Sequence, residues 1–203
     1  LAAEGHLDVL VNNAGVALGG FLEQVDEDEI RHLFDVNVFG TWALTRLWLP
    51  LMRARREGLV VNVSSMAGRM AMPGLGSYAS SKFALEGISE SLRHEVAPFG
   101  IKVTVVEPGD IATGFTGSRV RARAADETSP YADAFAKVLE TIEADERGGP
   151  PADVVAKLIA RIARSNTPRP RYSVGRAFQR ASVWGKRLLP DTMFERIIRS
   201  YFR

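Results

Sequence analysis

Ser64-Ser65-Met66-Ala67-Gly68, followed after a loop by Ser77-Tyr78-Ala79-Ser80-Ser81-Lys82-Phe83-Ala84, is the stretch that orders this chain. It follows an apolar run, Leu59-Val60-Val61-Asn62-Val63, that reads as a buried strand. It opens a helix expected to reach about Pro98. Tyr78 and Lys82 are four apart and so share one helix face. A phenol ordinarily ionises near pH ~10, and a neighbouring ammonium favours the phenolate. Ser65 adds a hydroxyl at the strand end. Together the three groups read as an acid/base cluster. Singly, each has a plainer reading: a half-buried helix aromatic, a solvated helix lysine and a turn serine.

Outward from this centre the same strand–helix alternation repeats. Residues 7–11 are a short apolar run stopped by Asn12-Asn13-Ala14-Gly15, and residues 101–106 are a strand stopped by Pro108-Gly109. Arg171-Tyr172-Ser173-Val174 reads as a short last strand. Asp26-Glu27-Asp28-Glu29 starts a helix expected to run to about Arg55, with acids suited to its positive end. Asn37 and Gly40 are poor helix-interior residues and predict a kink there. Further helices are expected near 131–146, 151–164, 176–188 and 191–202. Residues 110–130 read as an irregular functional loop rich in Gly and Arg. The alternation predicts one α/β domain over residues 1–203 with a parallel sheet.

Composition narrows the chemistry. The 203 residues contain no cysteine, which excludes disulfides, thiol nucleophiles and thiolate metal sites. Three scattered histidines lack metal-ligand spacing, so no metal site is expected. No secretory signal and no apolar run near the ~18 residues of a membrane span is visible, and a cytoplasmic location is the expectation. The net charge of +2 is uneven. Residues 169–203 carry nine Lys and Arg against Asp191 and Glu195, a balance of +7, and the remainder stands at −5. Such a tail suggests nucleic acid or an anionic membrane, or more plainly an amphipathic helix beside a site. No helix-turn-helix, RNA-binding or zinc pattern accompanies it, and no nucleic-acid partner is expected. Leu188, Leu189, Met193, Phe194, Ile197, Ile198 and Phe202 give the tail an apolar side that can cover a pocket.

These residues resemble the short-chain dehydrogenases/reductases over nearly the whole chain. Asn12-Asn13-Ala14-Gly15 matches that family's motif after a strand, and Asn37 matches its helix-kink asparagine. Ser65 lies 13 residues before Tyr78, Tyr78-x-x-x-Lys82 is the family signature, and Pro108-Gly109-Asp110-Ile111-Ala112-Thr113 matches the loop over the nicotinamide. Val106-Glu107-Pro108-Gly109, Arg171–Gly175 and Leu188-Leu189-Pro190 are similar to a branch with 17-beta-hydroxysteroid and retinol dehydrogenases. A YxxxK pattern alone is weak; five motifs in order are specific.

The resemblance implies a Rossmann-like, doubly wound sheet and NADP or NAD as cofactor. It implies hydride transfer between the nicotinamide and an alcohol or carbonyl carbon, with Tyr78 as acid/base. Lys82 lowers the Tyr78 pKa and binds the nicotinamide ribose, Ser65 holds the substrate oxygen, and Asn37 holds a water linking Lys82 to solvent. Asn13, Ala14, Gly15, Tyr78, Lys82, Pro108, Gly109, Ile111 and Thr113 are the implied cofactor residues. Asn12 is expected to tie strands together, and Glu107 equally to be a buried structural acid. Homodimers or homotetramers through the helices at 26–56 and 78–98, with Trp42 and Trp48, are implied as well. Met66, Met70, Met72, Leu75, Phe115 and the 110–130 loop suggest an apolar pocket for a steroid-, retinoid- or lipid-like compound.

One departure stands out. The family's first strands and its Gly-rich cofactor turn are not in this sequence, and the chain is expected to be cut at its start, with residues 1–6 a helix tail. The strand at 7–11 is then expected to leave an exposed apolar edge. The alternative reading is a non-catalytic relative that serves in dimerisation or regulation.

Overall fold

A computed structural model of the chain describes residues 5–202. Most of the helix tail expected at 1–6 lies outside the described residues; Gly5 and His6 are not helical. The elements run β1 (Val9–Asn12), β2 (Leu18–Gly19), α1 (Glu27–Phe34), α2 (Thr41–Arg55), β3 (Gly58–Val63), α3 (Gly76–Val96) and β4 (Ile101–Pro108). β5 (Val120–Arg121), α4 (Ala132–Arg147), α5 (Asp153–Ala163), β6 (Arg171–Val174), α6 (Ala177–Leu188) and α7 (Asp191–Tyr201) follow.

The four strands expected from the sequence form one parallel sheet in the order β1-β3-β4-β6. Alternate side chains of each strand point to opposite faces, and both faces are covered. Leu10, Val60 and Val103 pack with Met52 of α2 and Val96 of α3. Leu59, Val61 and Val106 pack with Ile162 of α5 on the other face. A third cluster, built on Leu33, Leu75, Phe135 and Ile142, roofs the ends of the strands. β1 is one edge of the sheet and β6 the other, and Val11 of β1 is 39% exposed.

A buried polar ladder crosses the sheet. Asn12 Nδ2 donates to Asn62 Oδ1 at 2.8 Å and to Thr45 Oγ1 at 2.9 Å, and Asn62 Nδ2 donates to Ser89 Oγ at 2.8 Å. Asn12 therefore ties β1, β3 and α2 together, as its place after a strand suggested. Glu107 is held between strands: Ser173 Oγ donates to it at 2.6 Å, and Arg69 Nη1 lies 3.2 Å away.

The expected helix over 26–55 is two helices joined by π-helix at Asp35–Gly40. The wide turn has a cause. Asn37 is buried there, its Oδ1 accepts from the Val16 N–H at 2.8 Å, and its Nδ2 donates to the Val16 carbonyl and to Ser81 Oγ, each at 3.0 Å. The expected irregular stretch 110–130 holds a two-residue strand, β5, that pairs in parallel with β2. Neither piece has the length or alternation that marks a strand in sequence. Among the described residues, no helix is long and apolar enough to cross a membrane.

Candidate active site

β1, β3 and β4 end on the same side of the sheet, and a cleft of about 1080 Å³ opens over those ends. This is where parallel α/β sheets place their ligands. Ser65 follows β3, and Tyr78 and Lys82 stand on the first two turns of α3. All three line the cleft. A single 3₁₀ turn at Met66–Gly68 brings the loop against α3. A Cβ at Gly68 would come within 2.8 Å of Ser64 Oγ and 3.1 Å of the Lys82 carbonyl, so this close approach requires glycine.

Ser65 Oγ accepts from the Ala67 N–H at 3.0 Å and donates to the Pro108 carbonyl at 3.4 Å. The phenol of Tyr78 is 9% exposed. Burial pushes its pKa up to about 12, with a hydrogen bond from Ser65 working the other way. Lys82 is 4% exposed, its Nζ donates to the Val63 carbonyl at 3.1 Å, and it lies 5.7 Å from the Tyr78 ring centroid. Burial brings its pKa down to about 8, against the pull of Glu86. Sequence reasoning expects Lys82 to depress the phenol. In the structure desolvation acts on both groups, and after burial the groups that act on the Tyr78 phenol are Ser65, Glu146 and Arg119.

The remaining candidates fall around this trio. Asn13, Ala14, Gly15, Pro108, Gly109, Ile111 and Thr113 line the same cleft. A Cβ at Gly15 would sit 3.3 Å from Asn37 Oδ1 and 3.5 Å from Lys82 Nζ, so both groups flank the open floor there. The amide donors of Asn37 are committed to Val16 and Ser81. Thr113 Oγ1 accepts from the Phe115 N–H at 3.1 Å. Met66, Met70, Met72, Leu75 and Phe115 line the cleft, and from the tail Ile197, Ile198 and Phe202 do too, but Leu188, Leu189, Met193 and Phe194 do not.

Sequence reasoning missed the polar corner of the cleft. Arg119 and Glu146 form a buried ion pair, Gln179 donates to Asp110, and Tyr201 donates to Asp145. Burial, then Asp145 and Glu146, push the Asp110 carboxyl up to about 6. Arg119 stands out in sequence only as one of several loop arginines, and Glu146 as one acid near a helix end. Their pairing across 27 residues has no local signal.

A parallel sheet with a cleft over its carboxyl ends defines a Rossmann-like α/β protein. The family model described as short chain dehydrogenase matches residues 1–124, and the chain belongs to that family of oxidoreductases. It is 40% identical over 203 residues to a 3-ketodihydrosphingosine reductase of Bacteroides thetaiotaomicron, covering 100% of this chain and 75% of that protein. It is 36% identical over 197 residues to an NADPH-dependent 3-dehydrocapnine reductase of Ornithobacterium rhinotracheale, covering 94% of this chain and 69% of the relative. The crystal structure of a short-chain dehydrogenase from Streptomyces avermitilis is similar with a TM-score of 0.78 and 36% identity, covering 91% of this chain. The chain spans 66% of that structure's length.

Proposed function

We propose that this chain carries the substrate and proton-transfer machinery of an NAD(P)-dependent reductase acting on a long-chain, amphipathic ketone. One observation carries the reading: Ser65, Tyr78 and Lys82 line a cleft whose other side chains are mostly apolar, with a polar corner at Arg119 and Glu146. Two relatives named as reductases, of 3-ketodihydrosphingosine and of 3-dehydrocapnine, support it.

The cofactor is a nicotinamide dinucleotide, and NADPH is favoured by the name of one relative. The floor at Gly15, which a Cβ would close against Asn37 and Lys82, fits a flat ring and its ribose. Asn13, Ala14, Gly15, Lys82 and the Pro108–Thr113 segment would hold that end, with Thr113 toward the carboxamide and Lys82 toward the ribose hydroxyls. When bound, the nicotinamide supplies the hydride.

The chain's own residues handle the proton. Ser65 Oγ donates to the substrate carbonyl oxygen and fixes it beside the Tyr78 hydroxyl. As negative charge grows on that oxygen, Tyr78 gives up its proton to form the alcohol. A pKa of about 12 keeps the phenol protonated at neutral pH, and an alkoxide is a stronger base than a phenolate. Lys82, as ammonium, steadies the phenolate that is left. Asn37 positions Val16 and, with its Oδ1 facing Lys82 across Gly15, frames the place for a relaying water. In the oxidative direction each step reverses. Dimers or tetramers would form through α2 and α3.

The test is a ketone series followed at the nicotinamide absorbance with both cofactors. A long-chain ketone with a polar head should give the highest kcat/KM. Equal rates on short polar ketones would overturn the substrate reading.

A further inference from the structure

We propose that Arg119, Glu146 and the carboxylates beside them bind the amino-alcohol head of a long-chain 2-amino ketone, next to the carbonyl that Tyr78 protonates. The inference rests on the reductase reading above and names the head group of its substrate.

Arg119 and Glu146 line the cleft with side chains only 5% and 13% exposed. They are near enough to the phenol that Glu146 raises and Arg119 lowers the Tyr78 pKa. The pair is joined through Arg119 Nη2 alone. Arg119 Nε, Arg119 Nη1 and Glu146 Oε2 are buried without a hydrogen-bond partner. Buried polar atoms left unpaired are rare because each forfeits its hydration. Packing holds the arginine in place: a Cβ on Gly19 would come within 3.1 Å of its Cδ.

These atoms state what a ligand must offer. Two guanidinium donors need an acceptor, and one carboxylate oxygen needs a donor. The charge states the rest. Asp110, Asp145 and Glu146 face Arg119 and Arg176, with Arg176 Nη1 3.3 Å from Asp145 Oδ1. Within this corner, apart from Lys82 at the other side of the cleft, three carboxylates against two guanidiniums leave one negative charge over, and Asp145 and Glu146 add to burial in raising the Asp110 pKa. A single cation restores neutrality. An ammonium donating to Glu146, with a hydroxyl accepting from Arg119, meets every requirement. A head group that is purely anionic would meet the donors and be repelled by the charge.

Binding separates this inference from the reductase reading. The probes are dihydrosphingosine, a long-chain amino diol, and the diol of equal length without the amine, titrated calorimetrically into the full chain at neutral pH. A buried, charge-assisted contact should make the amine bind at least about tenfold tighter. Glu146→Gln should bring the two within about twofold. Because that variant strands Arg119, the paired change Arg119→Met with Glu146→Leu, which removes both buried charges, is measured as well. It should lose the preference and keep its melting temperature. Equal binding of the two probes by the unaltered chain, or a preference that survives the paired change, overturns the inference. Ammonium-dependent binding without reduction of the amino ketone supports this subsite and overturns the reductase reading. Reduction without an ammonium preference overturns the subsite alone.

Discussion

Tyr78 and Lys82 sit one helical turn apart, both buried, and burial acts on them in opposite directions. It keeps the phenol protonated and makes the amine easier to deprotonate. The lysine has a consequence for stability. Its pKa falls from 10.5 to about 8 on folding, so between those pH values the unfolded chain holds a proton that the folded chain has released. Stability from this group therefore rises with pH through that window. Tyr78 acts oppositely above pH 10.0, where the unfolded phenol ionises and the folded one keeps its proton up to about 12. Urea unfolding at a series of pH values should show the rise from pH 8 toward pH 10, and Lys82→Met should flatten it. A profile unchanged by that substitution would mean that Lys82 is not desolvated as described. On the role proposed for Ser65 at the substrate oxygen, Ser65→Ala should reduce turnover and leave the rise between pH 8 and pH 10 in place, since Ser65 acts on the Tyr78 pKa and not on that of Lys82.

At the level of elements, much was legible because periodicity is local. The strands at 7–11, 59–64, 101–106 and 171–174 all appear, within about two residues at their ends, and for β3 and β4 the reason is that apolar runs buried on both faces have few other readings. The break in the 26–55 helix was also legible, from Asn37 and Gly40. Its π form was not, since it depends on the bonds from Asn37 to Val16, 21 residues away. The β2–β5 pairing, about 100 residues apart in sequence, was likewise invisible. The ladder through Asn12, Asn62 and Ser89 makes a further expectation. Asn12→Ala removes the donor to Asn62 Oδ1 and Thr45 Oγ1, both buried, and should cost about 1–3 kcal/mol. The denaturation midpoint reads this directly, and a shift near zero would show that the ladder carries little stability.

For the whole molecule, the sheet gathers three motifs, from residues 12–15, 64–82 and 108–113, onto one cleft. Each motif was readable in sequence, and so was the apolar lining by Met66, Met70, Met72, Leu75 and Phe115. The Arg119–Glu146 corner was not, because only the folded chain brings a loop arginine against the end of α4. The two tryptophans of α2 also part company. Trp48 packs on the sheet, but Trp42 is half-exposed, and Leu47 nearby is 72% exposed. Phe83 of α3 is exposed as well, with Lys186 of α6 5.4 Å from its ring, and the exposed apolar side chains of α2 are what the proposed pairing with a second copy would use. Leu47→Glu should lower the sedimenting mass and leave the fold intact; an unaltered mass would place any interface elsewhere. The central claim is that Tyr78 delivers the proton to a ketone, and Tyr78→Phe tests it with the loss of one oxygen. On the proposed reading, reduction of a long-chain ketone with NADPH should fall by about 10²–10⁴-fold, with cofactor affinity largely kept. Turnover near that of the unaltered protein would contradict the account.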